Sequence, residues 1–228
     1  GHRVERVRLA SPFLLRSIHP PLSAAEGRTI VALRRLGKRI VFELEGEMYL
    51  VLHLMISGRL RWKEKGAKVP GKIGLLALDF DHGTLVLTEA GTKRQASLFV
   101  VQGREALQQH DPGGINVLEA DLDTFARALQ HDNHTLKRAL TDPHLFSGIG
   151  NAYSEEILHA ARLSPFNQTG AHSRGELGRV YHATRDTLTA WIARLQAETG
   201  EDFPEKVTAF RDGMAVHGRF GKACPVCG

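Results

Sequence analysis

The hydrophobic period of this chain changes once, just after Asp111-Pro112-Gly113-Gly114. That limits it to folds with a sheet-forming first half and a helix-forming second half. Before the change, short β-rich runs alternate with turn signals. Val4, Val7 and Leu9 lead into Pro12-Phe13-Leu14-Leu15, and residues 28–44 hold two runs split by Gly37. Met48 to Leu54 follows the turn Glu45-Gly46-Glu47, and Arg59 to Trp62 follows Ser57-Gly58. After a Lys- and Gly-rich loop, Ile73–Phe80 and Thr84–Thr88 flank the hairpin turn Asp81-His82-Gly83. Short strands so punctuated predict a β-sandwich or a barrel-like sheet over residues 1–112.

Beyond the boundary the spacing is helical. Leu122, Phe125, Ala126 and Leu129 fall on one face behind the acidic cap Asp121. Further helices are expected from His134 to Thr141 and from Asn151 to Arg162. The capping box Ser173-Arg-Gly-Glu176 opens another, with Leu177, Val180, Tyr181, Thr184 and Leu188 inward, that ends near Gly200. The fold class is therefore α+β, with a helical domain over 113–212.

Lys and Arg exceed Asp and Glu by 30 to 25, and the isoelectric point is about 9.4. Such a surface suits a polyanionic partner, although many basic enzymes share it. No apolar run is long enough to span a bilayer, and no secretory segment is visible, so no membrane partner is expected. The first residue, Gly1, is not an initiator methionine, and the opening reads like a strand already under way. Both ends of the protein are expected to lie outside this chain. Cys224 and Cys227 stand in Cys-Pro-Val-Cys-Gly, half the donor set of a tetrahedral zinc site. A redox pair is the alternative, but nothing around it forms a thioredoxin-like unit.

Chemistry concentrates in residues 136–165. A short helix with Lys137 and Arg138 ends near Asp142-Pro143, Ser147-Gly148-Ile149-Gly150 makes a tight turn, and a new helix opens at Asn151, expected as its N-cap. A helix start carries unpaired N–H groups and roughly half a positive charge, so it binds anions. With Lys137 nearby, the expected anion is a nucleic-acid phosphate. An ordinary helical hairpin has the same glycine and asparagine caps.

Together these residues resemble the helix–two-turns–helix motif of the formamidopyrimidine-DNA glycosylase and endonuclease VIII family. Three further stretches resemble it in the same order: Leu36-Gly37-Lys38-Arg39 before a strand, His53-Leu54-Met55-Ile56-Ser57-Gly58-Arg59-Leu60, and His217-Gly218-Arg219-Phe220 running into Cys224. The resemblance implies a base-excision repair glycosylase with AP-lyase activity on oxidised bases, and a monomer acting on duplex DNA with damaged or abasic sites. It also implies a cytoplasmic, nucleoid-associated bacterial setting and a zinc ribbon entered, and cut short, over 213–228. The family's nucleophile is an N-terminal proline amine followed by glutamate. The amine attacks the sugar C1′, displaces the base, and forms an iminium that acidifies the C2′ proton. This chain does not begin with that pair and is therefore expected to lack activity by itself.

By the same resemblance, Lys38 is the candidate catalytic residue, facing the damaged nucleotide. His53, Lys137, Gly150, Asn151 and Tyr153 are candidate phosphate ligands, and Cys224 and Cys227 candidate zinc ligands. Read singly, Lys38 is also an ordinary solvated lysine, His53 a buried histidine on an apolar strand, and Tyr153 a core residue. The chain departs from the family at the residues that fill the gap left by an extruded base. Ile56 stands near the expected Met, and Thr88 to Ala96 replaces Asp-Pro-Arg-Arg-Phe-Gly, leaving Lys93 or Arg94 as the candidate wedge. Two alternatives remain: a non-catalytic damaged-DNA binder on the same scaffold, and an RNA-binding helical module.

Overall fold

The computed structural model describes residues 1–205, 207–226 and 228. The chain forms two compact units, residues 1–111 with 202–207, and residues 112–201 with 208–228.

The first unit is a sandwich of two antiparallel sheets. Its strands are β1 (His2–Arg3), β2 (Arg6–Leu9), β3 (Thr29–Leu36), β4 (Arg39–Leu44), β5 (Met48–His53), β6 (Gly58–Lys63), β7 (Gly74–Asp79), β8 (Thr84–Glu89) and β9 (Ser97–Gln102). The sheets have the orders β1-β3-β4-β5-β9 and β2-β7-β8-β6. Phe42 and Leu44 of β4, Leu50 and Leu52 of β5, and Leu98 and Val100 of β9 meet Leu76, Leu78, Leu85 and Leu87 of the facing sheet. Alternate residues Val41, Tyr49, Val51 and Val101 point to the other face, where Ala106 and Leu107 of α1 (Arg104–Gln108) help to cover them. With both faces covered, β9 lacks polar alternation, and the period argument did not isolate it or α1. Phe203 and Glu205 join this unit beside Trp62 (6.5 Å) and Lys63 (3.3 Å).

The second unit contains α2 (Leu122–Leu129), α3 (Leu136–Thr141), α4 (Asn151–Ala161) and α5 (Arg174–Thr199). Its core joins Phe125, Leu129, Leu136, Leu140, Phe146, Ile149, Ile157 and Leu158, with the rings of Phe125 and Phe146 4.9 Å apart. The capping box at Ser173 and Glu176 forms as its spacing predicts. α3 starts two residues later than expected, because Thr135 rather than a residue before His134 is its cap. α4 opens on Gly150: its extended backbone makes it the N-cap and Asn151 the first helical residue, a correction to the expected role of Asn151.

Candidate nucleic-acid interface

In the first unit, three connections meet at one end of the sandwich. Gly37-Lys38 is the two-residue loop between β3 and β4, closed by the pair Leu36–Arg39. Gly37 has φ +60°, and positive φ at the first loop position alone is the signature of a type II′ turn. It leaves Lys38 exposed at the tip. Register then pairs Arg39 of β4 with His53 of β5, and His53 with Ser97 of β9. Strand register thus brings Lys38, Arg39 and His53 together at this end of the sandwich.

His53 is half-buried. Its pKa is held below the usual histidine value, first by burial and then by the charges of Arg39 and Lys38. The Met55 backbone N–H donates to its Nδ1 at 3.1 Å. The neutral ring therefore carries its own proton on Nε2, as a donor suited to a phosphate oxygen. Met55 has φ +53° and Ile56 is 82% exposed. A Cβ on Gly58 would lie 2.3 Å from the Leu54 carbonyl oxygen, so only glycine closes this turn.

The third connection, residues 90–96, is held from beneath. Glu89 is 1% exposed, and its carboxylate accepts the backbone N–H groups of Gln95 (3.0 Å) and Ala96 (3.2 Å) and the hydroxyl of Ser57 (3.2 Å). One buried charge therefore ties this loop to the Met55-Ile56 turn. The two candidate wedges differ. Arg94 donates to the Lys72 carbonyl, whereas Lys93 is exposed beside it. Sequence reasoning missed Glu89. Its only signal is a lone acid ending the otherwise uncharged run Thr84-Leu-Val-Leu-Thr-Glu89.

In the second unit, Gly148 (φ +87°) turns the chain into α4 while Ile149 anchors the turn in the core. Ser154 N–H bonds to Gly150, the first bond of the helix, and no side chain caps that end. The N–H groups of residues 151–153 therefore lack the partners a helix interior supplies. Asn151 is exposed there.

Lys137 is not a simple point charge at this end. Its Nζ lies 2.6 Å from Glu155 Oε1, and the other Glu155 oxygen lies 2.7 Å from His217 Nδ1. Burial opposes ionisation of Glu155, but the bonds from Lys137 and His217 outweigh it and hold its pKa low. The adjacent Glu156, 6% exposed, accepts the backbone N–H groups of Ala215 (2.7 Å), Val216 (2.9 Å) and His217 (2.9 Å). These two glutamates, part of the sequence pattern but given no role by it, fasten the C-terminal segment to α4. Glu156 follows Ala152 by one helical turn, which put it on the buried face. Tyr153 sits edge-on to Trp191 at 6.1 Å, and burial raises its pKa.

Cys224 Sγ lies 3.5 Å from His159 Nε2. Cys227 lies outside the described residues. Among the described residues this is two donors, and a closed structural zinc site takes four. The donors at hand do not complete the set.

Residues 1–98 match the formamidopyrimidine-DNA glycosylase N-terminal domain and residues 115–201 the formamidopyrimidine-DNA glycosylase H2TH domain. The formamidopyrimidine-DNA glycosylase of Thermus thermophilus is 33% identical over 220 residues, covering 90% of this chain and 76% of the relative. That of Listeria innocua is 24% identical over 236 residues, covering 100% and 85%. Among solved structures, the MutM (Fpg) protein of Thermus thermophilus superposes with a TM-score of 0.79 at 31% identity, covering 100% of this chain and 84% of that one. Lactococcus lactis Fpg in complex with abasic-site DNA gives 0.87 at 20% identity, covering 100% and 85%, a likeness of fold.

Proposed function

The chain belongs to the formamidopyrimidine-DNA glycosylase family, and on that premise we propose that it is a base-excision repair DNA glycosylase acting on oxidised bases, with AP-lyase activity. The observation that carries this reading is the convergence of Lys38, Arg39 and His53 at the end of the sandwich where exposed Ile56 and Lys93 also lie. An amine and an imidazole N–H suit phosphates on either side of an extruded nucleotide, and the Arg39 guanidinium, which donates to the His110 carbonyl, adds positive charge beside them. Ile56 and Lys93 are the residues assigned to the vacated space; Arg94, tied to the Lys72 carbonyl, is the weaker candidate. Lys38 is the candidate catalytic residue, a cation facing the lesion.

Gly150, Asn151 and the open N–H groups of α4 are proposed to grip a second stretch of backbone, with Lys137 beside them. Tyr153 is assigned to packing first, given its contact with Trp191. Cys224 and Cys227 are proposed as half of a zinc donor set. The nucleophilic amine is assigned to none of the residues placed here, and little strand cleavage is expected of these 228 residues alone.

Binding to a duplex carrying a tetrahydrofuran abasic analogue tests the reading. We expect tighter binding than to intact duplex, and a log–log salt slope near about −4 to −5 if about five phosphates are neutralised. A flat salt response overturns it. A non-catalytic damage binder on the same scaffold is favoured by one observation, the absence of a literal Asp-Pro-Arg-Arg-Phe-Gly loop at 88–96. Borohydride trapping on abasic-site DNA by a chain carrying Pro-Glu at its start separates the two: a covalent adduct for the enzyme, none for the binder.

A further inference from the structure

A cluster of possible metal ligands includes none of the residues proposed above to meet DNA. His2 belongs to β1, an edge strand of the five-stranded sheet. Asp81 and His82 are the two central residues of the β7–β8 turn in the four-stranded sheet, closed by Phe80 N–H on the Gly83 carbonyl at 2.8 Å. One ligand atom from each of the three residues falls within 4.8 Å of the other two.

We propose that His2, Asp81 and His82 bind a borderline divalent transition-metal ion, Zn²⁺ in the first instance, which fastens the edge of one sheet to the turn of the other. Two imidazoles and a carboxylate form a donor set that suits Zn²⁺, Co²⁺, Ni²⁺ or Cu²⁺ better than Mg²⁺ or Ca²⁺. Zinc holds such donors at about 2.0–2.2 Å, so donors sharing one tetrahedral ion lie about 3.3–3.6 Å apart. Closing from at most 4.8 Å takes no more than about 1.5 Å, within the rotamer freedom of exposed side chains.

The cluster is ordered rather than a chance crowd. The His2 and His82 rings lie 4.2 Å apart. His82 leans on Trp62 at 5.1 Å and Phe80 at 6.3 Å. Gly83 holds the turn against the indole, since a Cβ there would lie 2.4 Å from the Trp62 ring. Asp81 already bonds His82 Nδ1, which keeps the carboxylate beside the ring. An open cavity of 510 Å³, partly lined by His2 and Asp81, leaves room for water in the remaining coordination positions. An ion here would bind the folded state and not the unfolded chain, so it would raise stability by mass action.

The test is a Zn²⁺ titration of the 228-residue chain, read by long-range ¹H–¹⁵N NMR of the histidine rings. His2 and His82 should shift together and saturate. His82→Gln should weaken the response of His2 at least about tenfold, and His2→Gln that of His82, since each removes one ligand. Occupancy at the C-terminal cysteines is followed separately through Co²⁺–thiolate absorption. Saturating Zn²⁺ should raise the melting temperature followed by Trp62 fluorescence by about 5 °C or more, and should not do so in either glutamine variant. Both variants should keep the metal-free melting temperature, because the three residues are exposed. Independent or non-saturating responses of the two histidines, or an equal thermal shift in the variants, overturn the proposal.

Discussion

Glu89 in the sheet unit and Glu156 in the helical unit do the same physical job for different segments. Each is a buried carboxylate on a regular element that holds a loop by its backbone N–H groups. Glu89 ends β8 and accepts from Gln95, Ala96 and the Ser57 hydroxyl at 3.0–3.2 Å. Glu156 lies inside α4 and accepts from Ala215, Val216 and His217 at 2.7–2.9 Å. The loop under Glu89 carries Lys93 and Arg94, whereas the segment under Glu156 leads to Cys224. Holding the backbone leaves the side chains of the held loop available for other contacts. In the helical unit the neighbouring Glu155 takes the opposite course and grips a cation, Lys137, directly. A charge-assisted bond to a buried carboxylate is about twice as strong as a neutral one, so both segments are held firmly.

The largest effect is expected at Glu156. Replacing it with Ala leaves three N–H groups without their acceptor and should destabilise the helical unit by about 3 kcal/mol. Trp191 is the reporter, with Trp62→Phe silencing the other indole, in urea unfolding. Glu89→Ala should cost the sheet unit about 2 kcal/mol, followed through Trp62 in a Trp191→Phe background, because its bonds are longer and one of them is to an exchangeable hydroxyl. If the two losses are equal, or reversed, bond length is not what separates the two sites. Glu89→Ala should also weaken binding to abasic-analogue DNA, by freeing the loop that carries Lys93. An unchanged affinity would place that loop outside the interface.

The role of neither glutamate was legible in the sequence, although Glu156 stands within the motif, and the reason is general. Hydrophobic period identifies faces, so β3 to β8 and the helices α2 to α5 were readable from Phe42, Leu44, Phe125, Leu129 and their spacings. A buried charge breaks the period at one position and looks like noise. Its partners are backbone amides, which carry no residue identity. Lys38 and His53 were singled out through the family resemblance, since each read alone is an ordinary lysine or a buried histidine, and strand register brings them together. The Asn151 cap was misassigned because glycine and asparagine both suit that position, and only the dihedral angles of Gly150 decide between them. β9 escaped because an edge strand covered on both faces shows no alternation.

Smaller in energy, and sharper in meaning, is the Lys137–Glu155 pair. If Lys137 meets a phosphate, Glu155 competes with the DNA for it. Glu155→Gln should then tighten binding about threefold at low salt, while Lys137→Met should weaken it across all sequences and make the salt slope shallower by about one unit. If Lys137 only braces α3 against α4, both changes leave affinity alone and both lower the melting temperature of the helical unit. Equal effects of opposite sign on affinity identify a phosphate ligand held in reserve; parallel effects on stability identify a strut.

The smallest expected effect is the dependence of the sheet unit on pH. Both His53 and His110 titrate below the usual histidine value, first because they are partly buried and then because Arg39 is near, with Lys38 adding to His53. On acidification the unfolded chain therefore takes up these protons first. The stability they contribute is complete above the unfolded value of about 6.5 and is lost as pH falls from there toward the lower folded values. Urea unfolding followed by Trp62 should report this as a positive slope with pH in that window, reduced in His53→Asn and in His110→Gln. DNA sharpens the point. A phosphate against His53 favours the charged ring, so binding must raise its pKa and affinity must increase as pH drops through the same window. His53→Asn should remove that increase while His110→Gln leaves it. An affinity that ignores pH would return His53 to the reading its strand first suggested, a histidine buried for packing, and would rest the case for a phosphate at this end of the sandwich on Lys38 and Arg39.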